Sequence, residues 1–153
     1  MHVELLTPEI VIENKHDIAQ FYFYNAITCS FSEHYSFEEA EAKIEDFIVY
    51  LKKGDCIGYG LFCDKSICGF IWAYPHQFRE EKRLYISEIH IRENYRNKGY
   101  GKLLLEAVEA EAKENGLGAL YLHAEASNKS AIRFYESCGY EKERIQLRKE
   151  LTS

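Results

Sequence analysis

The sequence predicts an α/β domain in which strands and helices alternate along one chain. Three observations carry that expectation. From Leu84 to Glu114 a β-branched run, a glycine-bearing turn and a long amphipathic helix follow one another. Two more apolar, strand-like runs stand before it, Cys56 to Cys63 and Ile67 to Tyr74. Finally, 153 residues, 46% of them hydrophobic, suffice for one core, and no linker, repeat or low-complexity tract divides residues 1–153.

Taken in order, Val3 to Glu13 holds a first strand, interrupted at Thr7-Pro8. Asp17 to Cys29 is a helix with Ile18, Phe21 and Tyr22 on its apolar face. A polar stretch, Phe31 to Tyr35, leads to Ser36-Phe37-Glu38-Glu39, a capping box. The helix it opens repeats Ala40, Ile44, Phe47, Ile48 and Leu51 at helical spacing and stops at Lys52-Lys53-Gly54. Asp64-Lys65-Ser66 then turns one strand into the next. Gly58, Gly60 and Gly69 mark bulges or close backbone packing. Pro75 is expected to end the second strand, leaving His76 to Arg83 as a charged loop.

The strand Leu84 to Arg92 sets Ile86, Ile89 and Ile91 against Ser87, Glu88 and His90. The helix is expected from Lys102, with Leu103, Leu104, Ala107 and Val108 on one stripe and Asn115-Gly116 as the stop. Leu120 to Ala124 is an apolar strand, parallel to Leu84–Arg92 if the helix between them makes a right-handed crossover. Asn128 to Gly139 forms another helix, and the alternation of Ile145, Leu147 and Leu151 against Arg144, Gln146 and Arg148 predicts a last strand with one wet face.

Composition narrows the function. A net charge of −6 without any basic run disfavours a nucleic-acid partner and suits a cationic small molecule or a basic protein tail. Five cysteines with no C-x-x-C point to free thiols in a reducing cytoplasm. No apolar run approaches a membrane span, and no metal site is expected.

The turn Arg96-Asn97-Lys98-Gly99-Tyr100-Gly101 has a physical use. The first amides of a helix lack intrahelical partners, and the dipole adds positive charge there. Two glycines let a polyanion reach that backbone, and Arg96, Lys98 and Lys102 add charge beside it, so a diphosphate is the expected guest. Neither G-x-x-x-x-G-K-[ST] nor G-x-G-x-x-G is present.

What stands instead is Arg96-x-x-Gly99-x-Gly101 after a strand, followed by Asn128…Ala131…Phe134-Tyr135…Cys138-Gly139-Tyr140. Together these resemble the two-part signature of the GNAT superfamily of acetyl-CoA-dependent N-acetyltransferases, closely over the C-terminal half and by order of elements before it. The resemblance implies a mixed, mostly antiparallel sheet of six or seven strands, splayed in the middle and flanked by about four helices. It implies acetyl-CoA as co-substrate and a primary amine as acceptor. The pantetheine arm would pair with the backbone of Ile89, His90 and Ile91, whose isoleucine side chains are core. The pyrophosphate would lie on Arg96, Asn97, Lys98, Gly99, Tyr100, Gly101 and Lys102, and Asn128 would touch the cofactor arm.

By the same resemblance Glu88 is the general base, with His90, on the same strand face, as a rival. Tyr135 is the acid that protonates the leaving thiolate. Glu33, His34 and Tyr35 would help wall the acceptor site. Plainer roles stand beside each: an ion pair with Arg83 or Lys82 for Glu88, an N-cap for Asn128, an aromatic core position for Tyr135, a surface linker for 33–35. A small cationic amine is the expected acceptor. A protein amino group and a non-catalytic CoA-binding module remain as alternatives, and family members often form homodimers.

Overall fold

The computed structural model describes residues 1–29 and 34–152, which fall into two compact units, Met1–His123 and Ala124–Ser153. The first unit carries β1 (His2–Leu5), α1 (Pro8–Glu13), α2 (Lys15–Cys29), α3 (Phe37–Lys53), β2 (Ile57–Cys63), β3 (Ser66–Phe78), β4 (Glu81–Ile91), a short 3-10 turn (Glu93–Tyr95), α4 (Tyr100–Glu114) and β5 (Ala119–Tyr121). The second carries α5 (Lys129–Ser137). The strands lie in sequence order; β1 to β4 pair antiparallel and β4–β5 pair parallel. The chain is therefore α/β with a mixed, mostly antiparallel sheet, of five strands rather than six or seven among the described residues.

Two helix starts were written in the local chemistry. Ser36 caps α3 by accepting the Glu39 N–H at 3.1 Å, and Gly54 ends it in the left-handed region at φ 73°. Thr7-Pro8 interrupts the first strand as expected, yet the next segment is a helix: Thr7 Oγ1 accepts the Ile10 N–H at 3.2 Å and Pro8 occupies the first turn, where its missing donor is not needed.

Pro75 does not end β3. The strand runs on to Phe78, and the expected loop from His76 to Arg83 is instead a hairpin, with His76 opposite Arg83 and Phe78 opposite Glu81. The reason is position: β2 leaves β3 at Ala73, so beyond it β3 has one neighbour and a nitrogen on the open side forfeits no ladder bond. The predicted last strand, Glu143 to Leu151, is absent, and Ile145 and Leu147 are 76% and 89% exposed. Alternation makes a strand only where an edge is there to pair with, and the second unit has none among its described residues.

The sheet of the first unit is covered on both faces. On one, Ile18, Phe21 and Tyr22 of α2 and Ile44, Phe47 and Ile48 of α3 pack with Phe70 and Trp72 in one cluster. Gly58 lies under this layer: a Cβ there would stand 2.5 Å from Phe47 Cζ, so the close approach demands glycine. On the other face α4 packs on β2, β3 and β4. Its buried stripe is Leu104, Leu105, Val108 and Ala112, one step round from the expected stripe; Leu103 is exposed. The helix begins at Tyr100 rather than Lys102 and ends where expected, at Asn115-Gly116. Among the described residues no helix is long and apolar enough to cross a membrane.

Candidate active site

The position of Glu88 depends on one irregularity. Leu84 and Ile86 are buried, while strict alternation would carry residue 88 onto their face. The ladder slips, however: Trp72 faces Glu88 but Ala73 faces Ile86, leaving Ser87 as an extra residue. The phase of β4 is reversed beyond it. Glu88 and His90 therefore stand opposite Trp72 and Phe70, beneath α2 and α3, and not beneath α4.

There they meet a polar group of four residues. His90 Nε2 lies 2.7 Å from Glu88 Oε2, and His90 Nδ1 lies 3.1 Å from Asn25 Nδ2. Asn25 Nδ2 also donates to Ile91 O at 3.4 Å, and its Oδ1 accepts from an Arg96 terminal nitrogen. The Arg96 Nε donates to Ile91 O at 3.1 Å. On Glu88 Oε1 sit the Tyr22 hydroxyl at 3.4 Å and the Lys43 ammonium at 3.8 Å, the latter also over the Trp72 ring. The Glu88 side chain is 17% exposed. Burial holds the Tyr22 phenol far above its ordinary value, and the Glu88 charge adds to this, so Tyr22 remains a hydrogen donor. The alternative ion pair with Arg83 is not formed; Arg83 turns to Glu81 at 2.5 Å.

Among the described residues β4 has no strand partner on its outer edge past Tyr85, because β5 pairs with it only from Arg83 to Tyr85. The Arg92 N–H goes to Cys68 O across the β3 ladder at 2.8 Å. By alternation the backbone groups of Ile91 and Ile89 then point the other way, to the open edge. Their side chains are half-buried rather than core.

At the end of that edge the chain makes its 3-10 turn and passes through Asn97 at φ 61° and Gly99 at φ 83°. Gly99 is the N-cap of α4, which has no side-chain cap and no acidic residue in its first turn. The leading amides of Tyr100, Gly101 and Lys102 thus lack the side-chain acceptor that Ser36 supplies to α3. Arg96 sends its guanidinium inward, so Lys98 and Lys102, both exposed, are the cations left at the turn.

In the second unit Asn128 caps α5, accepting the Ala131 N–H at 3.3 Å. Tyr135 lies on that helix with ring contacts to Phe134 at 5.3 Å and Tyr140 at 5.9 Å, and Gly139 ends the element at φ 93°. Of the three acceptor-wall residues, Glu33 lies outside the described residues and His34 is exposed in the turn before α3. Tyr35 stacks on Phe23 at 6.2 Å and tilts against Tyr22 at 6.3 Å, and burial raises its phenol.

Sequence reasoning missed Asn25, Tyr22 and Lys43. Asn25 had a signal: it follows Ile18, Phe21 and Tyr22 at spacings of seven, four and three, a polar residue on an apolar stripe. It is 8% exposed, the only buried polar residue among those described.

Comparison with known proteins places the chain. The sequence profile of the Acetyltransferase (GNAT) family matches residues 20–140. The chain is 31% identical over 88 residues to the uncharacterized N-acetyltransferase YycN of Bacillus subtilis (strain 168), covering 58% of this chain and 56% of that one. It is 40% identical over 78 residues to L-ornithine N5-acetyltransferase NATA1 of Arabidopsis thaliana, covering 50% and 34%. The matches thus span about half or less of those relatives' lengths. Among solved structures, the aminoglycoside acetyltransferase HMB0005 from an uncultured soil metagenomic sample superposes with a TM-score of 0.70 over 99% of this chain and 98% of that one, at 18% identity, a likeness of fold.

Proposed function

This chain belongs to the acetyltransferase (GNAT) family, and from that premise we propose that it transfers an acetyl group from acetyl-CoA to the amine of a small cationic molecule by direct attack. The observation that carries the reading is the outer edge of β4, which among the described residues runs without a strand partner from Ile86 into the uncapped start of α4. An extended amide chain can add to such an edge as a strand would, and a diphosphate suits the amides beyond it. Ile89, His90 and Ile91 would hold the pantetheine arm. Residues 96–102 would hold the pyrophosphate through backbone more than side chains, since the Arg96 guanidinium is engaged elsewhere.

The co-substrate supplies a thioester whose carbonyl carbon accepts a nucleophile. An ammonium has no lone pair to offer, so a base must first remove its proton. In this reading Glu88 is that base; its Oε2 is held by His90 and its Oε1 is turned towards Tyr22 and Lys43. The proton passes to Glu88, directly or through water. The freed lone pair forms the carbon–nitrogen bond as the carbon–sulfur bond breaks; Tyr135 gives a proton to the departing thiolate, and the second proton, shed by the acylated nitrogen, restores the phenol directly or through water. The outward amide of Ile91 is suited to polarise the carbonyl. Asn128 would contact the cofactor arm.

Two observations support a cationic acceptor: the net charge of −6 and the ornithine chemistry named in a similar protein, L-ornithine N5-acetyltransferase NATA1. Titration calorimetry with CoA, then a panel of diamines, polyamines, basic amino acids and aminoglycosides with acetyl-CoA, tests the reading by following thiol release. Heat of binding and turnover with a cationic amine are expected. No heat with CoA would overturn the assignment, and turnover only with a peptide amino group would overturn the acceptor class.

A further inference from the structure

Arginine carries hydrogen-bond donors and no acceptor, and that fixes more than its own contact. Because an Arg96 terminal nitrogen faces the Asn25 side chain, the atom it meets must be the amide oxygen. Rotating the Asn25 amide by half a turn would set donor against donor at Arg96. It would also set acceptor against acceptor at Ile91 O, now 3.4 Å from Nδ2. Both conflicts select one orientation, with the NH2 group towards His90.

That orientation selects the histidine tautomer in turn. An amide nitrogen offers only hydrogens, so His90 Nδ1, 3.1 Å away, must be the bare, accepting nitrogen. The hydrogen of the ring then sits on Nε2, 2.7 Å from Glu88 Oε2. The ring itself is held by Phe70, stacked at 5.6 Å, and by Tyr22, edge-on at 4.8 Å. Each link is a donor meeting an acceptor, in the order Arg96, Asn25, His90, Glu88.

We propose that Asn25 and Arg96 are positioning residues that hold His90 in its Nε2–H tautomer, so that His90 donates to Glu88 Oε2 and fixes the carboxylate that takes the proton of the acceptor. The proposal rests on Glu88 being the base of the acetyl transfer. It resolves the rivalry between Glu88 and His90: they act as one unit, with the carboxylate receiving the proton and the imidazole orienting it. It also gives the first residue of the glycine turn a second task. Arg96 anchors the chain at Ile91 O and, through Asn25, sets the geometry of the base. Among the described residues, the other titratable groups at Glu88 are Tyr22 from α2 and Lys43 from α3, with Tyr35 beside Tyr22, and its charge also reaches Tyr85 of β4.

Two-bond nitrogen–proton correlation spectra of the whole protein with 15N-labelled histidine read the tautomer directly. With six histidines the spectrum is small, and the signals lost in His90→Gln assign the residue. In the neutral ring, wild type is expected to show a bare Nδ1 and a protonated Nε2. Asn25→Asp has the same shape but offers His90 only an acceptor, so it is expected to draw a hydrogen onto Nδ1. Asn25→Leu, which offers nothing, is expected to give a mixture of tautomers. With the best amine of the panel, Asn25→Asp is expected to lower kcat at least about tenfold with the KM for acetyl-CoA unchanged.

A wild-type His90 protonated on Nδ1 overturns the proposal, as does an unchanged spectrum in Asn25→Asp. So does a shifted tautomer with undiminished kcat, which would leave acetyl transfer itself standing. A wild type that binds CoA but acetylates no amine fails differently: it removes the base from Glu88 and the proposal with it, while the spectra still decide the tautomer.

Discussion

The two faces of the sheet in the first unit are built by different rules. The face under α4 is aliphatic: Leu104, Leu105 and Val108 lie over strands whose buried residues on that side include Leu61, Ile71, Leu84 and Ile86. The face under α2 and α3 is aromatic and interrupted, with Phe47, Phe70 and Trp72 giving way to Asn25, Glu88 and His90. A buried polar group is tolerable only with its partners in place, and here every link of the group has one. One face can thus be left to hold the sheet while the other carries charge, and a single bulged residue, Ser87, decides which face receives the carboxylate.

Four measurements would break or sharpen that division. The largest effect belongs to Glu88→Gln, expected to lower kcat by about 10² to 10⁴-fold while thermal unfolding stays near wild type; a normal kcat would put the chemistry elsewhere. Leu105→Ala tests the opposite face. It should cost about 2–5 kcal/mol of stability by denaturant titration and leave kcat intact at temperatures where the protein is folded. A loss of kcat equal to that of Glu88→Gln would dissolve the distinction between the faces.

Alkaline unfolding comes next, with one group from each side. Burial pushes the Cys56 thiol, packed against the aromatic cluster, from 9.0 to about 12. Burial also pushes the Tyr59 phenol from 10.0 to about 12, helped by its 3.0 Å bond to Glu111 of α4. In both cases the folded state holds the proton more tightly than the unfolded chain. The benefit is complete below about pH 9 for the thiol and pH 10 for the phenol, and is lost as pH rises towards 12. The Tm should therefore fall over that window, less steeply in Cys56→Ala and in Tyr59→Phe; curves parallel to wild type would contradict the assignment. The smallest effect is expected from Lys43→Met. Removing the ammonium beside Glu88 should lower the KM for a cationic acceptor about threefold, the scale of one partly exposed ion pair, and an increase would make Lys43 a substrate contact instead.

Much of this fold could be read from local chemistry. Ser36 with Glu39, Gly54, Asn115-Gly116 and Asn128 each act within a few residues, so the helix ends they mark are where the sequence places them. The glycine turn was legible for the same reason: Gly99 adopts a left-handed conformation that a side chain would oppose. The errors share a different cause. Pro75 is harmless only because β2 stops at Ala73, and the alternation of 143–151 has no strand to pair with among the described residues of its own unit. The stripe of α4 was misplaced by one position because neighbouring leucines at 103, 104 and 105 leave its phase to packing.

The candidate site divides along the same line. Residue types and spacing marked the turn from Arg96 to Lys102 as suited to a phosphate, and the family resemblance pointed to Glu88 and His90 on the strand before it. Neither gave Asn25 more than its place as a polar residue on an apolar stripe; its partner Arg96 stands 71 positions away, and nothing local marked Ser87. Helix caps, turns and hydrophobic period are properties of a few consecutive residues, so the chain determined its class, its elements and its phosphate-suited turn by itself. Which face of the sheet Glu88 occupies, and which nitrogen of His90 bears the hydrogen, depend on contacts between α2, β3, β4 and the turn. Only the assembled structure brings those segments together, and so only it decided how Glu88 is held.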